Sequence, residues 1–494
     1  MELKRNRILF KILILLISSL WITIPLSAQI TKGLNYSLES SGSFSKAEQT
    51  PFWLLSNRQG LSSLSNTNGY LRLGLVRPFE KRKHFSYAYG LDIVTAAKYT
   101  SSLIVHQAYL DLRYQALTLS LGSKERWSEM QNKQLSSGGL TYSGNARPIP
   151  QARIGFPEYV SVPFTNNWLK VRGHVAYGAF TDEKWQRDFA VSGNRRTEHV
   201  LYHSKALFWK IGKEPLAPFV YEGGLEMEAQ FGGNAYGSTG KVDMPNRLAD
   251  FLRVFVPTGG DNRSPEGEQT NIYGNHMGSW HSSLAYVRND WKVRGYFEHY
   301  FNDHSMMFWE YGWKDGLVGL ELTLPKRMMI QQIVLEYMTS KDQSGPIYND
   351  TDVVIPEQIS AEDNYYNHYI YNGWQHWGMA IGSPLMLSPI YNSDGSLSFK
   401  SNRVESFHLG FSGTLSREID YRILYTTNRS WGTYKNPYPE ILKDSYYLWE
   451  MNYQPRKLKG WKFTASLGLD RGELAGYNNG LLFTIKKTGL LNNN

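Results

Sequence analysis

The feature that most constrains this chain is a two-residue alternation of apolar and polar side chains that recurs almost to its end. In "YLDLRYQALTLSLGS", Leu110, Leu112 and Tyr114 share one face and Asp111 and Arg113 the other. After Gln115-Ala116 the pattern resumes at Leu117, Leu119 and Leu121, which predicts a tight hairpin. "WLKVRGHVAYG" sets Leu169, Val171, Val175 and Tyr177 against Lys170, Arg172 and His174, and "VYEGGLEMEAQFGG" sets Tyr221, Leu225, Met227, Ala229 and Phe231 against Glu222, Glu226, Glu228 and Gln230. "SFHLGFSGTLSREIDYRILYTT" predicts two strands around a turn near Glu418 to Asp420. The apolar faces end in Tyr, Trp or Phe, and the opposite faces are too charged for a dry core. No apolar run beyond residue 28 reaches the roughly 18 residues of a membrane helix. A closed barrel is the strand architecture that leaves no unpaired edge in lipid. The expected fold is all-β: a transmembrane antiparallel β-barrel of about 16–18 strands, at roughly 25 residues per strand and connection.

The N-terminus gives the address. Met1 to Lys11 carries Lys4, Arg5, Arg7 and Lys11, an apolar stretch runs from Ile12 to Ile24, and small residues follow at Ser27 and Ala28. This reads as a signal peptide over 1–28, followed by a single barrel domain over 29–494 with no linker or charge run. The expected location is the outer membrane of a Gram-negative bacterium. The chain has no cysteine, so it uses no disulfide, thiol nucleophile or cysteine-bound zinc. The net charge of +9 falls to +6 once the signal's four basic residues and Glu2 are set aside, and no basic block remains. Nucleic acid is therefore not an expected partner, whereas acidic glycans and anionic lipid suit the charge. A mean hydropathy of −0.43 is compatible with a barrel, in which lumen-facing and lipid-facing residues cancel in the average.

Two stretches break the alternation. In "DMPNRLADFLRVFVPTGG", Leu248, Phe251, Leu252 and Phe255 fall at helical spacing behind Asp243 and Pro245, and Pro257 ends the run. We read an amphipathic helix within a plug or cap segment near 243–270, which partly fills the lumen, with Lys170, Arg172, Lys292 and Arg294 balancing Glu222, Glu226 and Glu228. In "SGNARPIPQARIGFPEYVSVPF", Pro148, Pro150, Pro157 and Pro163 each fix φ and remove a donor, so the stretch reads as a stiff connection that is neither helix nor central strand. It is expected on the outer side or folded into the lumen.

No catalytic constellation emerges. His203-Ser204 and His281-Ser282 are neighbours in strand-like segments, so each pair points to opposite faces and cannot form a nucleophile and its base. The same argument separates His299 from His304 in "FEHYFNDH", where Asp303 had suggested a metal site. Glu125 and Glu129 flank Trp127 with nothing to fix a glycosidase-like separation. No cofactor, metal or enzymatic activity is assigned. What stands out are loops rich in aromatic, Asn, Arg and His residues. Sugars stack their apolar faces on Trp or Tyr, while amides and guanidinium groups bind hydroxyls and carboxylates. The candidate glycan contacts are Trp127, Asn145, Arg147, Arg153, Asn275, His276, Trp280, Trp374, His376 and Trp377. The bland alternative is that these side chains pack the barrel ends.

The signal peptide, "NARPIP" at Asn145 to Pro150, "GNHMGSW" at Gly274 to Trp280 and "YNGWQHWGMAIGSPL" at Tyr371 to Leu385 carry a likeness. The chain resembles the Wzi-type capsule assembly proteins. The resemblance implies an eighteen-stranded outer-membrane barrel with helical elements at the periplasmic side. It also implies a lectin-like, non-enzymatic role in attaching capsular polysaccharide, with outer-membrane lipid and the capsule export machinery as further partners. The alternative is a diffusion porin or substrate channel of the same architecture, which needs an open bore.

Overall fold

The computed structural model describes residues 33–80, 83–213, 217–238, 240–302, 304–345 and 361–491. The signal-peptide reading, over 1–28, lies outside them. Eighteen strands form one antiparallel sheet: β1 (Asn35–Gln49), β2 (Ser65–Arg77), β3 (Phe85–Ala97), β4 (Leu103–Tyr114), β5 (Leu117–Ser123), β6 (Gln151–Ser161), β7 (Leu169–Ala179), β8 (Leu201–Ile211), β9 (Phe219–Phe231), β10 (Asn275–Arg288), β11 (Trp291–Phe301), β12 (Gly316–Thr323), β13 (Ile330–Thr339), β14 (Val404–Ser416), β15 (Ile419–Gly432), β16 (Pro437–Tyr453), β17 (Trp461–Gly472) and β18 (Asn479–Leu490). Each pairs with its neighbour in sequence. The sheet closes where β1 meets β18, from Asn35 opposite Leu490 to Ser45 opposite Gly480. The hairpin predicted at Gln115-Ala116 joins β4 to β5, with Tyr114 opposite Leu117.

Alternation sorts the side chains as lipid requires. Leu73, Leu91, Val105, Leu207, Leu284, Val318, Phe407 and Phe483 stand exposed on the outer wall, whereas Asp111, Glu226, Glu298, Glu336 and His408 are buried toward the bore. A closed barrel with this outside spans a membrane, and with this size and topology the membrane is a Gram-negative outer membrane. The connections 78–84, 115–116, 162–168, 212–218, 289–290, 324–329, 417–418 and 454–460 are short and share one rim with both chain ends. The connections 50–64, 124–150, 180–200, 232–274, 302–315 and 340–403 gather at the other rim. Short turns mark the periplasmic side and long connections the outside.

Three long connections pack into the bore, and the main hydrophobic core lies there. It joins Phe52, Trp53 and Leu54 from the first, Leu135, Leu140 and Ile149 from the second, and Tyr366, Trp374, Ile381 and Leu385 from the third. Wall side chains hold the 124–150 connection right across the barrel. Glu129 meets Arg153 on β6 at 3.2 Å and also pairs with Arg172 on β7. Arg294 on β11 donates to the Met130 carbonyl at 2.7 Å, Asn132 donates to Glu321 on β12 at 2.9 Å, and Ser137 N donates to Glu336 on β13 at 2.7 Å. On the far side His408 of β14 donates to Leu135 O at 2.7 Å and Arg422 of β15 to Gln134 O at 2.9 Å.

Three expectations need correction. The helix Leu248–Phe255 forms, but it belongs to no plug: Tyr177 donates to the Phe251 carbonyl at 2.9 Å, and the Phe251 ring lies 5.0 Å from Phe231. Tyr177 and Phe231 point away from the bore, opposite in alternation to His174 and Gln230, so the helix lies on the outer wall. An amphipathic stripe needs an apolar partner, and a barrel offers one on its outside too. The proline-rich stretch is not all loop. Strand β6 runs from Gln151 to Ser161 through Pro157, beyond the last residue pairing with β5 (Thr118 with Gly155) and inside a register shift against β7, where a missing N–H breaks no ladder. The lumen's charges also pair differently: Glu222 with Lys210 at 3.2 Å, Glu226 with His281 at 3.2 Å, and Arg294 with Glu321 at 3.0 Å. Partners follow strand adjacency, which alternation alone does not specify.

Candidate functional site

The outer mouth carries the arrangement with most chemical potential. Gln375–His376 pairs with Met379–Ala380 in a miniature hairpin whose two-residue turn is Trp377-Gly378. Both turn residues have positive φ, 56° for Trp377 and 80° for Gly378. This is the primed turn that matches strand twist. Glycine accepts that backbone freely, and any Cβ at 378 would run into Trp185. Tryptophan does not accept it freely: a left-handed conformation costs a side-chain-bearing residue roughly 1–2 kcal/mol. The strain is held by Asp182, whose carboxylate accepts from Trp377 N at 3.0 Å and from Gln375 Nε2 at 3.2 Å.

Arg147 lies over this tip, its guanidinium carbon 4.4 Å from the centre of a Trp377 ring, with Nη2 donating to Thr100 Oγ1 at 2.6 Å. Its backbone is anchored by His376, whose Nδ1 donates to the Arg147 carbonyl at 2.9 Å while Thr181 N donates to Nε2 at 3.3 Å. Among the described residues Arg147 forms no ion pair. Burial pulls its guanidinium down to about 10, with Asp182 and Tyr99 opposing, so it stays charged at neutral pH. Burial likewise holds His376 below the usual imidazole range. A largely desolvated cation stacked on a strained indole can recognise a carboxylate and a pyranose face together.

Beside it, a cleft of about 400 Å³ opens between the helix Glu183–Phe189 and the turn 389–395. Gln49, Asp188, Phe189, Tyr391, Asn392 and Ser393 line it. The mixture of flat rings, amides and hydroxyls at this volume suits a small polar ligand.

No family model matches the sequence, and no curated protein does. Among solved structures the chain is similar to Wzi, an outer membrane protein involved in group 1 capsule assembly in Escherichia coli and a carbohydrate-binding β-barrel. The identity is 11% and the TM-score 0.60, over 93% of this chain and 85% of that one. The fold is that of a Wzi-like outer-membrane barrel. OpdL of Pseudomonas aeruginosa matches with a TM-score of 0.46 at 11% identity, over 93% of this chain and 99% of that one. OccAB2 of Acinetobacter baumannii matches with a TM-score of 0.45 at 9% identity, over 93% and 98%.

The structure brings together only part of the residue set singled out by sequence. Asn145, Arg147, Trp374, His376 and Trp377 meet inside the mouth, and Trp127 joins them through its ring, packed on Gly144. Within that group Asn145 is fully buried. Its Oδ1 accepts from Asn57 N at 3.0 Å and its Nδ2 donates to Ala380 O at 2.9 Å, so the amide pins three loops to one another. Trp374 is buried as well and donates to Thr141 O at 2.8 Å. Arg153 is spent on Glu129 and His174 in the bore. Asn275, His276 and Trp280 sit at the outer end of β10, bonded to Gln230, Tyr273 O and Met307 O respectively. Sequence reasoning missed Thr100, Thr181, Asp182, Phe189, Tyr391 and Asn392. The Trp377-Gly378 pair was the one local signal for the hairpin.

Among the described residues, the His203-Ser204 and the Glu125–Glu129 alternatives find no catalytic geometry. His203 faces outward to Phe255, and Ser204 faces the bore. Ser204 does bond His174 Nε2 at 2.7 Å, but Arg153 donates to His174 Nδ1 at 2.7 Å. The imidazole proton therefore sits on Nε2, toward the serine, the wrong tautomer for a base. Glu125 is held by Arg72 at 2.7 Å and His106 at 2.9 Å, and Glu129 by its two arginines. Burial raises Glu125, but His106 and Arg72 outweigh it and hold the carboxyl at about 2. Asp303 and the His304 side chain lie outside the described residues.

Proposed function

We infer that this barrel binds an acidic surface polysaccharide at its outer mouth and holds it on the cell as part of capsule assembly, in a lectin-like manner and without turning it over. The observation that carries this reading is Arg147: charged, without an ion pair among the described residues, and stacked on the strained Trp377 at the rim that faces outside. A carboxylate-bearing sugar would supply the missing anion, and the indole face would take its ring. The fold shared with a carbohydrate-binding barrel supports the same reading.

The porin alternative needs a continuous bore. The 124–150 connection, tied to β7 on one side and β15 on the other, counts against it. The test is equilibrium binding of the purified, folded barrel to polysaccharide from its own cells. The reading expects saturable binding that Arg147→Ala and Trp377→Ala each weaken. Absence of binding by the unaltered protein would refute it.

A further inference from the structure

We propose that the helix Leu248–Phe255 and the turn around Phe308 to Trp313 form a hydrophobic shelf on the outer wall, seated among the acyl chains of the membrane's outer leaflet. The argument begins with a misfit in the wall. On β8, β10 and β11 the outward positions near the outer rim include His203, Lys205, His276 and His299, polar groups that hydrocarbon would penalise. Every one of them is covered. The His203 ring lies 6.0 Å from Phe255, and Lys205 donates to the Phe255 carbonyl. His276 Nε2 donates to Tyr273 O at 3.0 Å, and the His299 ring stacks 3.9 Å from Trp309.

A covering segment that met water would turn its polar side outward. The helix does the reverse. Leu248 is 79% exposed, Leu252 64% and Val256 58%, and Phe308 and Trp313 also project outward. The helix's charges are turned to one another: Arg253 meets Asp250 at 2.5 Å and Asp261 at 2.9 Å, while Arg263 meets Asp261 at 2.6 Å and Asp250 at 3.1 Å. The exposed patch is continuous with the lipid-facing belt directly below it, where Leu207, Leu284 and Val318 stand on the same outer face. Tryptophan at this level suits the boundary between headgroups and hydrocarbon, and an amphipathic helix there lies flat with its apolar side in the acyl region. The shelf thus hides His203, Lys205 and His299 from lipid and presents an apolar surface in their place.

The chain contains no cysteine, so Leu252→Cys and Trp313→Cys each carry a nitroxide at one defined place. Labelled barrels are reconstituted into vesicles of phospholipid and lipopolysaccharide. Collision of the label with oxygen, which enters bilayers, is compared with collision with a water-soluble nickel chelate. Leu207→Cys in the belt and Val191→Cys at the exposed mouth are the references, and heat-dependent gel mobility shows that each variant is folded. The proposal expects both shelf positions to shift toward oxygen and to rank with 207. Ranking with 191 would overturn it, as would labels shielded from both reagents, which would mean that protein covers the patch.

Discussion

The guanidinium of Arg147 rests 4.4 Å above a ring of Trp377, and no carboxylate is ion-paired with it among the described residues. If a sugar carboxylate completes this arrangement, Arg147→Ala should weaken polymer binding by about 1–3 kcal/mol, the worth of a hydrogen bond to a charged group. Titration at rising ionic strength should shrink the difference between variant and parent, because screening removes the charge term. The deficit of Trp377→Ala should not depend on salt.

Trp377 adopts a left-handed backbone at φ 56°. Asparagine accepts that conformation at less cost, so Trp377→Asn should keep or raise the unfolding temperature while weakening polymer binding. Parallel thermal melts and binding isotherms check this. A destabilised Trp377→Asn barrel would mean that the indole serves packing alone.

Asn145 behaves as a clamp and not as a sugar contact. Asn145→Ala would leave Asn57 N and Ala380 O without partners, at about 1–3 kcal/mol for each buried group. Hydrogen exchange should rise in the connections 50–64 and 361–403 together. The loss of polymer affinity should follow the loosening of these loops and show no salt dependence.

Glu336 grips the bore-crossing connection, accepting from Ser136 Oγ at 2.6 Å, Ser137 N at 2.7 Å and Tyr296 OH at 2.5 Å. In planar bilayers the unaltered barrel should show no stable conductance. Glu336→Ala should produce intermittent openings as the connection loosens. A steady, large conductance from the unaltered protein would favour the porin alternative.

Glu268 gives a pH dependence. Burial pushes its carboxyl up to about 7, against hydrogen bonds from Gly274 N at 2.5 Å and Tyr369 OH at 3.0 Å. Its folded value lies above the unfolded one, so protonation favours the packed state. The contribution, about 3 kcal/mol at roughly 1.4 kcal/mol per unit, is full below pH about 4.5 and is lost as pH rises through about 7. Exchange of the Gly274 amide, corrected for intrinsic rate, should accelerate between pH 5 and 8. In Glu268→Gln it should not.

Much of the barrel was legible because lipid imposes a strict period of two. The faces of Leu169 to Tyr177 and the hairpin at Gln115-Ala116 follow directly from it, and the turn expected near Glu418 to Asp420 falls at Arg417-Glu418. What was not legible depends on neighbours distant in sequence. Pro157 reads as a strand breaker until β5 is known to begin at Leu117 and to pair no further along β6 than Gly155. The stripe of Leu248 and Leu252 looks the same whether its partner is lumen or lipid. Asn145 and Arg147 sit two residues apart in one motif, yet the amide is consumed by Asn57 and Ala380 while the guanidinium is not neutralised by any described carboxylate. Composition cannot separate a satisfied polar group from a cation left without an opposite charge.

The measurement that bears most directly on the account is the partition of surface polysaccharide between cells and medium in a strain lacking this protein, complemented with the parent chain or with Arg147→Ala. The account predicts that deletion leaves total polymer unchanged but moves it into the medium, that the parent chain restores it to the cells, and that Arg147→Ala, at equal barrel levels, restores it only in part. A fall in total polymer, or an unaltered partition, would contradict the claim that this barrel holds polysaccharide at the surface.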